Sequence, residues 1–137
     1  MVVDTMVFAY ALLASATRRE EATRALEHCD EIVVPDSLRP ELVNAVWQYV
    51  RKAQITPDLG VELLRDAEAL FDRVVSCQVI WEHALELAVD TGHPAYDTLF
   101  VALAAREGTR VVTYDEKMLH TFPHLTVHGR NVASGSQ

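Results

Sequence analysis

The chain is short of cysteine, glycine, basic residues and long apolar runs, and each shortage excludes a class of protein. Cys29 and Cys77 are its only cysteines in 137 residues. Two thiols make no disulfide framework, and these two lack metal-ligand spacing, so both are expected reduced and partly buried. Its five glycines form no GxGxxG, P-loop or GxSxG pattern, which removes nucleotide-cradle and nucleophile-elbow readings. The six histidines include no HExxH pair. His28, His83, His93, His120, His124 and His128 are expected at the surface, with His93 in a loop. His120 and His124 are four apart, but Pro123 between them disfavours a regular helix. The longest early apolar stretch, Met6 to Ala14, is too short to span a bilayer. No basic residue precedes it, so a secretory signal is not expected and the chain reads as cytoplasmic, with no membrane partner. Lys and Arg number 12 against 20 Asp and Glu, a net charge of −8. That excludes affinity for nucleic acid through a broad basic surface. It leaves open a nuclease with its charge concentrated at a metal site, or a chain bound to a basic partner.

What is there is an alternation of strand and helix with no linker or repeat. The length suits one domain, expected over residues 1–130, with 131–137 a short polar tail. Val2-Val3 reads as a buried strand. Thr5 to about Ala14 and Arg18 to about His28 read as helices. Glu31 to Val34 reads as a strand ended by Pro35. Asp36 or Ser37 then caps a helix with Pro40 in its first turn and an apolar stripe at Leu38, Leu42 and Val46. Thr56-Pro57 starts another helix, running to about Phe71. Arg73 to Ser76 is a weak strand, and Gln78 to Asp90 a helix stopped at Gly92 and Pro94. Asp97 to Glu107 is a largely apolar helix, expected buried on most sides. Strands at Arg110 to Thr113 and Leu125 to His128 follow. Strands separated by helices predict an α/β fold of three layers, α/β/α, with a mostly parallel central sheet. Ligands of such sheets bind beyond the carboxyl ends of the strands.

Four acids stand at the junctions of these elements: Asp4, Glu41, Asp97 and Asp115. Singly, each has a structural explanation. Asp97 reads as a helix N-cap, Asp4 as a carboxylate favoured by a helix dipole, Asp115 as a turn residue, and Glu41 as a solvated first-turn residue. Together they are harder to dismiss. Asp4 follows an apolar, central strand, where a buried carboxylate is costly unless paired or metal-bound. Glu41, Asn44 and Gln48 share one helix face, at the edge of the buried stripe. No basic residue stands at a spacing that would neutralise all four acids. A hard divalent cation, Mg²⁺ or Mn²⁺, with oxygen ligands would do so. Trp47, Tyr49 and Trp81 are expected as core or dimer contacts rather than base-stacking platforms.

Four segments carry a resemblance: Val2-Val3-Asp4-Thr5, Glu41-Leu42-Val43-Asn44, Ala95-Tyr96-Asp97-Thr98-Leu99-Phe100-Val101-Ala102-Leu103-Ala104, and Val111-Val112-Thr113-Tyr114-Asp115-Glu116-Lys117. In this order and at these separations they resemble the PIN-domain ribonucleases, in particular the VapC toxins of toxin–antitoxin pairs, over residues 1–130. The resemblance implies a metal-dependent ribonuclease. Asp4, Asp97 and Asp115 would hold Mg²⁺ or Mn²⁺, and Glu41 would complete the shell or orient water. Thr5, Asn44 and Thr113 would support them. It also implies an RNA substrate, a cognate VapB-like antitoxin and a homodimer, with an apolar surface from the third to the fifth helix as the expected dimer face. Pro40 departs from the commonest pattern, so the aim of Glu41 depends on where its helix begins.

Two other readings compete. One is a non-catalytic acidic α/β module that captures a basic peptide, which accounts for the charge but not for the placement of four acids. The other is a receiver-like phosphoacceptor domain. That fold wants adjacent acids after the first strand and a Lys after the last, whereas Asp4 stands alone and no such Lys follows Val127.

Overall fold

Valine pairs build four of the five strands of the sheet. The computed structural model describes residues 1–132. Its strands are β1 (Val2–Val3), β2 (Val33–Pro35), β3 (Arg73–Val75), β4 (Val111–Thr113) and β5 (Thr126–His128). β-Branched side chains suit a pleated surface packed on both faces, and β1, β2 and β4 are buried throughout. All strand pairs are parallel, in the order β3-β2-β1-β4-β5. Val2 stands opposite both Val33 and Val111, and Val3 opposite Val112. The chain builds outward from β1 through β2 to β3, then returns to the other side of β1. The boundary between β1 and β4 is therefore the switch point at which α/β sheets open a crevice. The strand β2 begins at Val33, two residues later than expected, and ends at Pro35 as expected, with the proline as its last paired residue, opposite Val75. Parallel pairing does not need the proline's missing N–H where the ladder stops, so the last residue of a strand accommodates it.

Eight α-helices occur among the described residues: α1 (Thr5–Leu13), α2 (Ala16–Glu27), α3 (Leu38–Arg51), α4 (Pro57–Leu70), α5 (Trp81–Thr91), α6 (Ala95–Glu107), α7 (Glu116–Thr121) and α8 (Gly129–Val132). A 3-10 turn, Cys77–Val79, precedes α5. The helix α6 lies along β1, β2 and β4 and packs on α5, while α1 contacts α2, α3 and β4. Phe100, Val101, Ala102, Leu103 and Ala104 of α6 are all fully buried, as its apolar sequence predicts. The hydroxyl of Thr98 ties it to α5 by donating to the Ala84 carbonyl at 2.7 Å.

Three helix starts position the site. Asp4 caps α1, accepting from the Thr5 N–H at 2.8 Å. The α3 helix begins at Leu38, so Pro40 is its third residue. First-turn N–H groups have no intrahelical partner, and the proline therefore breaks nothing. The third start differs from expectation. The α6 helix opens at Ala95 with Pro94 as its cap, because proline's fixed φ favours helix entry. Asp97 is thus a first-turn residue and not an N-cap.

Two short helices at the C-terminal end are absent from the expected pattern. Asp115 caps α7 by accepting from the N–H groups of Lys117 and Met118, at 2.9 and 3.1 Å. The expected domain boundary at residue 130 falls within α8, whose Val132 is fully buried. Residues 133–137 of the expected tail lie outside the described residues. The expected thiol states hold: Cys29 and Cys77 are free and partly buried, and burial raises both thiol pKa values.

Candidate active site

Asp4 leaves the carboxyl end of β1, and Asp115 lies two residues past β4. The two ends are locked together, with the Asp4 N–H donating to the Val112 carbonyl at 3.0 Å. Glu41 enters from the first turn of α3 and Asp97 from the first turn of α6. All four line one pocket of about 600 Å³, together with Thr5, Met6, Tyr10, Asn44, Ala45, Gln48, Tyr49 and Tyr114. The face of α3 that carries Glu41, Asn44 and Gln48 therefore turns into this pocket, while Leu38, Leu42 and Val46 are buried.

Fixed hydrogen bonds orient the acids. The Thr113 hydroxyl donates to Asp4 Oδ2 at 2.8 Å, and its oxygen accepts from the Asp115 N–H at 3.0 Å. The Thr5 hydroxyl donates to Glu41 Oε2 at 3.1 Å. Thr5 and Thr113 thus support the acids, and Asn44 lines the pocket beside them. Among the described residues, Lys and Arg pair with Glu31, Glu68 and Glu107, and with none of the pocket acids.

Burial without a Lys or Arg ion pair disfavours the ionised forms. Burial pushes the Asp4 carboxyl up to about 6, with Asp97 and Asp115 adding repulsion against the bonds from Thr113 and Thr5. Burial likewise lifts Glu41 to about 7, aided by Asp4 and Asp97. Asp97 is raised first by burial and then by Asp115, with His93 and Lys117 opposing. A divalent cation answers this imbalance, because it supplies the positive charge that the protein withholds. The donors are mainly carboxylate oxygens, which suit hard ions such as Mg²⁺ or Mn²⁺.

His93 occupies the loop expected for it, between α5 and α6 and four residues before Asp97, but sequence reasoning did not foresee its burial. Expected at the surface, its side chain is 1% exposed. Its Nε2 lies 3.0 Å from Asp97 Oδ2. Possible ligand atoms of His93, Asp97 and Asp115 all lie within 4.8 Å of one another. Asp4 is not part of that tight group, although it is close enough to repel Asp97 and Asp115. The four-residue spacing from His93 to Asp97 was the available signal. Its burial depends on Phe122, beyond α7, whose ring meets the imidazole edge-on at 5.9 Å between centroids. The aromatic expectations also shift. Trp47 and Trp81 are 51% and 57% exposed and so are not core residues, while Tyr49 lines the pocket.

Comparison with known proteins agrees with this architecture. Ribonuclease VapC3 of Pyrobaculum aerophilum is 30% identical over 127 residues, covering 91% of this chain and 96% of that protein. Two solved structures share the fold. One is a toxin–antitoxin complex from Klebsiella pneumoniae, with a TM-score of 0.67 at 18% identity. The other is VapBC2 from Rickettsia felis bound to a promoter DNA fragment, with a TM-score of 0.63 at 14% identity. Each alignment covers 93% of this chain and 96% of the other. A family model for the PIN domain matches residues 1–122, which span all four acids, and the chain belongs to the PIN-domain family.

Proposed function

We propose that this protein is a ribonuclease toxin of a toxin–antitoxin pair, hydrolysing RNA phosphodiesters at the four-acid pocket with Mg²⁺ or Mn²⁺. The observation that carries the reading is the convergence of Asp4, Glu41, Asp97 and Asp115, without a Lys or Arg counter-ion, in a chain related to a VapC ribonuclease. Asp4, Asp97 and Asp115 are the proposed ion ligands. A bound divalent cation would neutralise the scissile phosphate and make a water acidic enough to attack it.

The chain's own residues set the geometry. Thr113 fixes Asp4 and the backbone at Asp115 through one hydroxyl. Thr5 fixes Glu41, whose high pKa suits it to accept a proton from an attacking water near neutral pH. Asn44 and Gln48, on the same helix face and lining the pocket, would hydrogen-bond the sugar–phosphate chain. No protein nucleophile is needed.

A partner of the VapB type would offset the acidic charge by presenting a basic side chain to the pocket. Homodimerisation would draw on exposed apolar residues of α3, α4 and α5, where Val43 and Val61 line one groove and Trp81 and Leu85 another. Patches of this kind mark protein interfaces.

The test is RNA end mapping with purified wild type and Asp97→Asn. Wild type should cleave with Mn²⁺, leaving 5′-phosphate and 3′-hydroxyl ends, and should stop in EDTA. Asp97→Asn should fold and lose at least about 100-fold in rate, since even supporting partners of a metal site contribute roughly 10–100-fold. Cleavage indifferent to EDTA, or a fully active Asp97→Asn, would defeat the proposal.

A further inference from the structure

Each acid of the pocket is held in place, but not by the same kind of group. Asp4 and Glu41 accept from threonine hydroxyls, and Asp115 from backbone N–H groups. Asp97 instead meets an imidazole, with His93 Nε2 at 3.0 Å from its Oδ2. The ring lies in the three-residue connection between α5 and α6. Gly92 ends α5 in a left-handed conformation at φ 75°, and Pro94 opens α6. His93 is thereby pinned one helical turn before Asp97. Its own N–H donates to the Thr91 hydroxyl at 3.2 Å, and its ring is backed by Phe122.

The hydrogen-bond pattern assigns the tautomer. His93 Nδ1 is buried and has no partner among the described residues. A proton on Nδ1 would leave a buried donor unsatisfied, at a cost of about 1–3 kcal/mol. It would also aim the Nε2 lone pair at a carboxylate oxygen. A proton on Nε2 instead makes a donor to Asp97 and leaves Nδ1 as a bare acceptor. A nitrogen occupied in this way has no lone pair for a cation. The nearness of Nε2 to the oxygens of Asp97 and Asp115 is therefore not evidence of direct ligation.

Resting on the metal-site reading above, we propose that His93 is a positioning residue, which donates from Nε2–H to Asp97 Oδ2 and holds that carboxylate in its ion-binding orientation. Oδ1 of Asp97 stays available to an ion. Partners of this kind fix ligand orientation, and their loss typically costs about 10–100-fold in metal affinity.

The experiment titrates Mn²⁺ into the full-length protein by calorimetry, without RNA, and checks folding by thermal unfolding in EDTA. His93→Phe keeps a ring against Phe122 and removes the donor, and its Mn²⁺ Kd should rise about 10–100-fold. His93→Gln, whose amide N–H reaches the place of Nε2–H, should bind close to wild type. In an Asp97→Asn background, His93→Phe should produce no further loss. His93→Leu is the second donor-free variant should the phenyl ring not be accommodated. Unchanged Mn²⁺ affinity in the donor-free variants would overturn the inference alone. Equal loss in His93→Phe and His93→Gln would overturn it by making His93 a ligand. Wild type that binds no Mn²⁺ would remove the metal-site reading itself, and the inference with it.

Discussion

Asp4→Asn should stabilise the metal-free protein while destroying its activity, and the size of the effect follows from the pocket. Asp4 is 8% exposed and faces no basic partner. Its carboxyl rises from 3.8 to about 6 on folding. Because the folded value is the higher one, the folded chain holds the extra proton between those values. That contribution to stability is fully present below pH 3.8 and is lost as pH rises through about 6. A difference of roughly two pKa units corresponds to about 3 kcal/mol at pH 8. Asparagine escapes this penalty and can still accept from the Thr5 N–H. The Thr113 hydroxyl, now facing an amide N–H, must turn to accept, and the rearrangement will recover less than the full amount. The assay is urea unfolding in EDTA at several pH values. The stability gap, Asp4→Asn minus wild type, should be small at pH 4, grow through pH 6 and level off at about 2–3 kcal/mol. Near pH 8 this is a Tm difference on the order of 10 °C. Saturating Mn²⁺ should close or reverse the gap, because wild type alone binds the ion tightly. A gap that does not change with pH, or a less stable Asp4→Asn at pH 8, would refute the claim that Asp4 is a buried, uncompensated charge.

Two further predictions probe the supports of the pocket. Thr113→Val removes the donor to Asp4 and the acceptor for the Asp115 N–H. Calorimetry should show Mn²⁺ affinity falling about 10–100-fold, and the acid-side stability transition should move to higher pH, since the Thr113 bond holds the Asp4 carboxyl down. Gly129→Ala would place a methyl 2.5 Å from the Tyr114 ring and hydroxyl. That ring is wedged between Tyr10 and His128 at centroid distances of 5.1 and 5.0 Å. Overpacking of this kind should lower stability by about 1–3 kcal/mol in thermal unfolding, and an unchanged Tm would show that Tyr114 has room to move.

Much of the fold is legible because its signals are local. Thr56 and Pro57 mark the start of α4, and the Thr56 hydroxyl does accept from the Leu59 N–H at 3.2 Å. The apolar stripe of α3 and the apolar body of α6 follow from helical periodicity. Where sequence reasoning failed, competing local rules were in play. Asp97 resembles an N-cap, but the Pro94 ring sets the helix start earlier. The short α7 and α8 give too few residues for a periodic signal.

Sequence alone determines the alternating α/β pattern, the four acids and the scarcity of cations to balance them. These are properties of composition and of spacing within one element. Only the tertiary structure decides that the acids meet. Asp4 and Thr113 are 109 residues apart and touch because β4 returns to the side of β1, a pairing that no local signal contains. The tertiary structure also decides which loop residue joins them. Phe122 arrives from beyond α7 to bury the His93 ring, and exposure is set by what packs over a residue, not by the loop that carries it.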